Sequence, residues 1–174
     1  MAEGPGNIAL VGFMGTGKTS VGKILGKKLN REVIDVDQYI ETTQKRKISE
    51  IFEKEGEVFF RAVEKKAIRD ISGRRGIVIT TGGGAVLDPQ NIQVLKETGW
   101  VVCLSAPPET VFSRVKYSRH QPLLAGKDTL AEIRHLLRIR EPFYAEADFR
   151  VETGGCTSAQ AADEILKILK EKLA

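Results

Sequence analysis

The amino-acid sequence predicts an α/β domain of three layers, in which helices cover both faces of a parallel sheet. Five short apolar runs recur along the chain, and the segments between them carry apolar residues at helical spacing. Three of these runs are apolar throughout, which is typical of strands in a parallel sheet that is covered on both faces. The alternation of strands with helices supports the same class.

Each predicted strand is one of these apolar runs. In parallel sheets ligands bind beyond the carboxyl ends of the strands, so the residues that close each run are candidates for the functional site. The first, third and fourth runs are the continuously apolar ones. In chain order the predicted strands cover residues 7–13, 31–37, 76–84, 100–106 and 148–153.

The predicted helices are segments in which apolar residues recur three or four positions apart. A chain of 174 residues suits one domain, and we expect residues 1–174 to fold as a single unit. The helical segments run from Val21 to Leu29, from Ile51 to Ile68, from Val111 to Val115, from Leu130 to Leu137 and from Ala162 to Leu169.

Composition excludes several classes of protein. The 27 Lys and Arg against 23 Asp and Glu give a net charge of +4, spread along the chain, which favours a compact anionic ligand over a nucleic acid. Two cysteines, Cys103 and Cys156, form neither a disulfide framework nor a metal-binding pattern. We expect no signal peptide, because the N-terminal residues lack a basic segment followed by a long apolar stretch, and no apolar run has membrane-spanning length. We therefore expect a cytoplasmic protein without a nucleic-acid or membrane partner. That it is a monomer is a further expectation, which the composition does not establish.

A phosphate-binding loop follows the first predicted strand. Residues 12–19, "GFMGTGKT", match the pattern G-x-x-x-x-G-K-[ST] directly before a predicted helix, although an ordinary glycine-rich turn is the alternative. Lys18 is expected to reach the β and γ phosphates of a nucleoside triphosphate, and the Thr19 hydroxyl to bind Mg²⁺. The residues expected to contact the nucleotide are Gly15, Thr16, Gly17, Lys18, Thr19 and Ser20.

Nucleotide binding does not by itself define the reaction, because the same loop serves kinases, GTPases and motor ATPases. The sequence lacks the NKxD tetrapeptide that reads guanine, and it is too short for the additional domains of a motor ATPase. A small phosphotransferase is the favoured class.

Two carboxylates close the second predicted strand. Asp35 and Asp37 are two residues apart and would share one face of an extended chain. Asp35 is expected to bind Mg²⁺ through water, and Asp37 to accept a hydrogen bond from a substrate hydroxyl. In the alternative interpretation, Asp37 caps a helix over residues 38–44.

Two arginines and a run of glycines point to the second substrate. Arg61 lies on a predicted helix and is either a ligand or half of a surface pair with Glu64. The glycines of residues 82–84 suggest close approach of a ligand to the main chain. Arg140 ends a predicted helix two residues before Pro142. Two guanidinium groups suit a carboxylate, and Asp37 suits hydroxyls, so a small polyhydroxylated acid is predicted.

These motifs occur in the order seen in shikimate kinases, and the sequence resembles that family from residue 7 to about residue 170. The matching segments are "GFMGTGKT", "DVD", "GE..FR..E", "GGGAV", "PLLAG" and "REPFY". The resemblance implies a P-loop kinase fold, like that of nucleoside-monophosphate kinases, with a central five-stranded parallel sheet. It also implies transfer of a phosphoryl group from ATP to the 3-hydroxyl of shikimate, in the chorismate pathway to aromatic amino acids.

The resemblance assigns roles residue by residue. Thr19 and Asp35 would hold Mg²⁺, Arg114 would lie over the adenine, and a helical region of about residues 36–64 would bind shikimate. Apart from the resemblance, we expect Lys18, Asp37 and Arg119 to be catalytic, Arg119 as the replacement for a missing lid arginine. The residues expected to bind shikimate are Asp37, Arg61, Gly82, Gly83, Gly84 and Arg140.

The sequence departs from the family at two positions. Thr80 stands where the family has serine or alanine, and the change is expected only to add a methyl group. In the predicted lid, about residues 114–128, Gln121 stands at a nucleotide-contacting position where an arginine is usual. Either Arg119 replaces that charge or the lid works with little charge. Phosphorylation of another hydroxy acid such as gluconate, or a nucleotide-binding regulatory module, are the alternatives.

Overall fold

The computed structural model of the chain describes residues 6–116 and 129–174. Its sheet has five parallel strands in the order β2-β3-β1-β4-β5, which confirms the predicted sheet. β1 lies at the centre, so its carboxyl end opens at the middle of the sheet edge. The strands are β1 (Asn7–Val11), β2 (Val33–Asp35), β3 (Val78–Thr80), β4 (Gly99–Ser105) and β5 (Phe149–Glu152).

Helices cover both faces of this sheet. Alternate residues of β1 point to opposite faces, so that Ala9 and Val11 join one buried apolar cluster while Ile8 and Leu10 join the other. Burial on both sides explains the continuously apolar runs in the sequence. The helices are α1 (Lys18–Leu29), α2 (Val36–Gln44), α3 (Ile48–Ser72), α4 (Pro89–Thr98), α5 (Pro108–Val115), α6 (Thr129–Tyr144) and α7 (Ser158–Leu173), with a short 3₁₀ helix at Ala85–Leu87.

Helix α3 bends at Gly56. This residue has φ 82° and ψ 177°, a backbone conformation that interrupts the helix, and a side chain placed there would meet no neighbour within 4 Å. The bend separates the first part of α3, whose Ile48 amide donates to the Glu41 carboxylate of α2 at 3.1 Å, from the part that carries Arg61 and Glu64.

The first three strands are shorter than the predicted 7–13, 31–37 and 76–84. Two helices also differ from the sequence-based prediction. Helix α4 was not predicted, although Asp88 caps its first turn, Pro89 occupies the first turn, and Ile92 and Leu95 are buried one turn apart. Helix α6 does not end before Pro142 but continues to Tyr144, although a proline inside a helix removes one backbone donor and crowds the carbonyl four residues before it. No helix within the described ranges is both long and apolar enough to cross a membrane.

Asn7 anchors the start of β1 to the segment before β3. Its side chain is 1% exposed, donates to the Arg74 carbonyl at 2.8 Å and accepts from the Ile77 amide at 3.1 Å. Asn7→Ala would leave that carbonyl and that amide without their partner. We expect the free energy of unfolding, measured by urea denaturation, to fall by about 1–3 kcal/mol.

The matched control is Gln93→Ala, on the exposed face of α4. A truncation there should change the free energy of unfolding by less than about 0.5 kcal/mol. Equal effects of the two substitutions would show that the Asn7 amide contributes no more than a surface side chain.

Candidate active site

The phosphate-binding loop joins β1 to α1 through glycines with positive φ. Gly12 has φ 140°, and a side chain there would collide with the carbonyl oxygen of Leu104 in β4. Gly17 has φ 94° and stands at the N-cap of α1. These two positions need glycine because of the backbone shape, which confirms that the motif forms a tight strand-to-helix loop.

The N-terminus of α1 lies at the edge of the sheet and is open to an anionic ligand. Among the described residues no side chain caps it, and its first turn contains no acidic residue. Its first backbone N–H groups and the positive end of its dipole are therefore available to an anion. Thr19 and Ser20 are exposed on this first turn. This arrangement is the one that binds phosphate groups at helix N-termini.

Lys18 places a cation inside the loop. The residue is 8% exposed, and its Nζ donates to the carbonyl oxygens of Gly12 at 2.7 Å and Phe13 at 2.8 Å. An ammonium group has three protons, so one remains for another acceptor. Burial lowers the pKa of Lys18 to about 8, against the opposing effect of the Asp37 carboxylate. The amine is still mostly protonated at neutral pH.

The loop is tied to the far end of the sheet by Arg114 and Thr153. Arg114 donates to the carbonyl oxygens of Gly15 and Thr153, each at 2.9 Å. The buried Thr153 hydroxyl donates to the Thr16 carbonyl at 2.8 Å. Arg114 was predicted beside the nucleotide and does contact its loop. Thr153 was missed, although its position directly after β5, at the carboxyl edge of the sheet, was a signal.

Asp35, not Asp37, caps α2, which corrects the sequence-based interpretation of this pair. Asp35 Oδ1 accepts from the Gln38 amide at 3.0 Å, and Oδ2 accepts from the Thr80 hydroxyl at 2.8 Å. The helix therefore begins at Val36, and the two aspartates do not share the face of one strand. The cap ends the strand two residues earlier than its apolar pattern predicted.

Asp37 lies in the first turn of α2 and is half-buried. Burial, together with the negative charges of Asp35 and Glu64, raises the pKa of Asp37 to about 7, against the opposing charge of Lys18. A Cβ placed on Gly82 would lie 3.2 Å from Asp37 Oδ1 and 3.5 Å from Glu64 Oε2. Both carboxylates therefore converge on this glycine.

The ion pair of Arg61 with Glu64 is not the surface pair that the sequence left open. Arg61 Nη1 donates to Glu64 Oε1 at 2.8 Å, and Glu64 is 1% exposed. Burial raises the pKa of the Glu64 carboxyl, and the Arg61 guanidinium opposes that rise. Glu64 Oε2 is buried without a hydrogen-bond partner within the described part of the chain.

Gly83 and Gly84 make room for charged side chains of the protein itself. A Cβ on Gly84 would lie 2.7 Å from the Arg61 Cζ, and one on Gly83 would lie 3.7 Å from Arg140 Nη1. Close approach of a ligand to this main chain stays a prediction, and such a ligand would also meet these guanidinium groups. Each glycine accommodates an ionised group, and that group rather than the glycine offers the charge.

Arg140 stands between the glycines and the phosphate-binding loop. It is 4% exposed, and its guanidinium lies 5.4 Å from the centre of the Phe13 ring. Nearby, the Tyr144 hydroxyl donates to the Gly83 carbonyl at 2.8 Å. Phe13 and Tyr144 were not among the predicted site residues. The letters "REPFY" contained Tyr144, but its reach depends on the continuation of α6 past Pro142.

The described residues fit a magnesium ion that is held together with a nucleotide. No group of three or more His, Cys, Asp or Glu side chains suitable for a metal occurs in residues 6–116 and 129–174. Mg²⁺ bound through phosphates needs only one or two oxygen ligands from the protein. Thr19, at the start of α1, and Asp35, at the end of β2, supply oxygens at the same sheet edge.

The structure thus brings together most of the predicted residues at the carboxyl edge of β1 and β3. Arg119 and Gln121 lie outside the described residues, as does the predicted lid beyond residue 116, so their assigned roles stay predictions. The candidate site contains Lys18, Asp35, Asp37, Arg61, Gly82, Gly83, Gly84 and Arg140.

Sequence comparison identifies the relatives of this chain. The family model described as shikimate kinase matches residues 14–170. The shikimate kinase of Pelotomaculum thermopropionicum is 43% identical over 165 residues, covering 95% of this chain and 96% of that protein. The shikimate kinase of Thermodesulfovibrio yellowstonii is 45% identical over 161 residues, covering 92% of this chain and 93% of that protein.

Comparison of structures agrees. Shikimate kinase from Acinetobacter baumannii in complex with shikimate superposes with a TM-score of 0.94 at 40% identity, covering 99% of this chain and 97% of that one. Shikimate kinase from Aquifex aeolicus gives 0.85 at 35% identity, covering 96% of this chain and 98% of that one. The fold is therefore the P-loop kinase fold that the sequence predicted, and the chain belongs to the shikimate kinase family.

Proposed function

We propose that this protein is a shikimate kinase, which transfers the γ-phosphoryl group of MgATP to the 3-hydroxyl of shikimate. Membership of the family supports this activity, as does a relative of 40% identity whose structure contains shikimate. The observation that carries the proposal is the convergence of Asp37, Arg61 and Arg140 on the glycines of residues 82–84. This cluster lies at the same sheet edge as the phosphate-binding loop.

The arginines account for an acidic substrate. Arg61 is held by Glu64 at 2.8 Å, and Arg140 is held against the Phe13 ring. Arg61 also donates to Glu57 Oε1, from Nε at 3.4 Å and from Nη2 at 3.2 Å. A guanidinium has five N–H donors, so Arg61 keeps one proton on each terminal nitrogen for a carboxylate, and Arg140 offers a second guanidinium. Because its charged groups are fixed before the substrate arrives, the site loses little side-chain freedom on binding.

The loop and α1 account for the nucleotide. The uncapped N-terminus of α1 and the buried cation of Lys18 both face the edge where the β and γ phosphates of ATP would lie. Arg114 is fixed by the Gly15 and Thr153 carbonyls, so the plane of its guanidinium has a defined orientation on which an adenine can stack. Thr19 and Asp35 are the proposed magnesium ligands, Asp35 through water.

In the proposed reaction, the shikimate hydroxyl attacks the γ phosphorus in line with the leaving ADP oxygen. Asp37 accepts the hydroxyl proton, and a pKa of about 7 makes this carboxylate a better proton acceptor at neutral pH than an ordinary aspartate. Lys18 holds negative charge on the phosphates. Mg²⁺, held by Thr19 and through water by Asp35, would supply further charge neutralisation to the phosphates.

An ADP-release assay tests the proposal. The protein is incubated with MgATP alone, with MgATP and shikimate, and with MgATP and gluconate. Shikimate-dependent release is expected, since the two arginines and Asp37 match a carboxylate and ring hydroxyls. Release only with gluconate would select a kinase of another hydroxy acid, and no acceptor-dependent release would indicate a regulatory nucleotide-binding module.

A further inference from the structure

The Tyr144 side chain lies beside two of the proposed acid-binding residues, Gly83 and Arg140. Its residue type alone does not indicate a role in the reaction. The side chain is 3% exposed and lies in the apolar cluster on the helix α6 side of the sheet. A phenylalanine would fill the same space. The hydroxyl is therefore the informative group, because a buried hydroxyl is retained only at the expense of its hydration.

That hydroxyl contacts the proposed acid site directly. It donates to the Gly83 carbonyl at 2.8 Å, and the positive charge of the nearby Arg140 opposes the rise of its pKa. Arg140 and Tyr144 are four residues apart on α6, so they lie on the same face of the helix and reach the glycines together. Burial raises the pKa of Tyr144 to about 12, so the phenol keeps its proton and remains a donor at neutral pH.

The hydrogen bond to Gly83 restrains a flexible part of the backbone. Gly83 is the middle of three consecutive glycines, which have more backbone freedom than any other residue type. Its Cα approaches the phosphate-binding loop, since a Cβ there would lie 3.1 Å from the Met14 amide nitrogen and 3.7 Å from Arg140 Nη1. A shift of Gly83 would thus change the space available to Arg140.

We propose that Tyr144 is a positioning residue, which fixes the Gly83 carbonyl and thereby keeps the space in which the Arg140 guanidinium binds the acid substrate. This inference rests on the proposed function, because it names shikimate as that acid. Tyr144 does not touch the reacting atoms. Its contribution is to substrate affinity more than to the phosphoryl-transfer step.

The test is Tyr144→Phe, which keeps the ring and removes only the hydroxyl. Removing one buried hydrogen-bonding group is expected to raise the KM and the Kd for shikimate about 10-fold. The KM for ATP and kcat should each change less than about threefold. Shikimate Kd is measured by isothermal titration calorimetry without turnover, and folding is checked by thermal denaturation.

The control is Thr98→Val, which removes another hydroxyl that donates to backbone carbonyls, at the end of α4 and away from the site. It should leave both substrates' KM values unchanged. If Tyr144→Phe binds shikimate as the wild type does, or if it weakens ATP equally, the positioning role is wrong. If the wild type itself does not bind shikimate, the proposed function fails instead.

Discussion

Asp37→Asn is expected to reduce kcat for shikimate-dependent ADP release by about 10²- to 10⁴-fold, the range found when a general base is removed. The amide has the same shape as the carboxylate but cannot take up the hydroxyl proton. Nucleotide affinity, measured by ATP titration, should change little, because the loop carbonyls rather than Asp37 make the hydrogen bonds of Lys18.

The pH dependence of the wild type should reveal the same group. Asp37 acts as a base only when it is deprotonated, and its pKa is raised to about 7, so kcat/KM is expected to fall as the pH drops below 7. The residual activity of Asp37→Asn should lack this limb. A limb that persists in the variant would assign the titration to another group.

Stability should change in the opposite direction to activity. Because the folded-state pKa of Asp37 lies above its ordinary value of 3.8, the carboxylate destabilises the fold progressively as the pH rises from about 4 through 7. Asp37→Asn is therefore expected to melt at a higher temperature than the wild type at pH 8. The control is Asp70→Asn, a surface position paired with Lys66, which should leave turnover unchanged.

The parts of the fold that depend on local pattern could be predicted from the sequence. The strand cores and the phosphate-binding loop rest on apolar runs and on glycines that the backbone requires, and the structure confirms both. The ends of elements were less accurate, because single side chains set them. Asp35 turns the chain into α2 before Asp37, and α6 continues past Pro142.

The chemical environment of the site could be predicted only in part. Residue types indicated Asp37, Arg61 and Arg140, but the burial of Glu64 depends on how α3 packs after its bend at Gly56. The partnership of Tyr144 with Gly83 joins residues 61 positions apart, and no local pattern encodes such a contact. Sequence therefore predicted which charges the site contains, and the tertiary structure determines what holds them.

Gly84→Ala tests whether shikimate binding depends on where the Arg61 guanidinium lies, because the substitution moves this group without removing it. Gly84 has φ −98° and ψ 2°, which alanine also adopts, so the backbone is not strained. The new methyl group would lie 2.7 Å from Arg61 Cζ, much closer than carbon atoms pack, and the guanidinium must move. Because the clash involves the end of a flexible side chain, the protein is expected to fold.

The displaced guanidinium would lose its place beside the glycines and strain its 2.8 Å hydrogen bond to the buried Glu64. Since a charge-assisted hydrogen bond contributes about 1.5–3 kcal/mol, we expect the KM for shikimate to rise about 10- to 100-fold while the KM for ATP stays unchanged. Gly73→Ala is the control, because its Cβ would meet only the Asp70 carbonyl at 3.4 Å. A wild-type KM for shikimate in Gly84→Ala would mean that substrate binding does not depend on this position of Arg61, and the role assigned to the third glycine would be wrong.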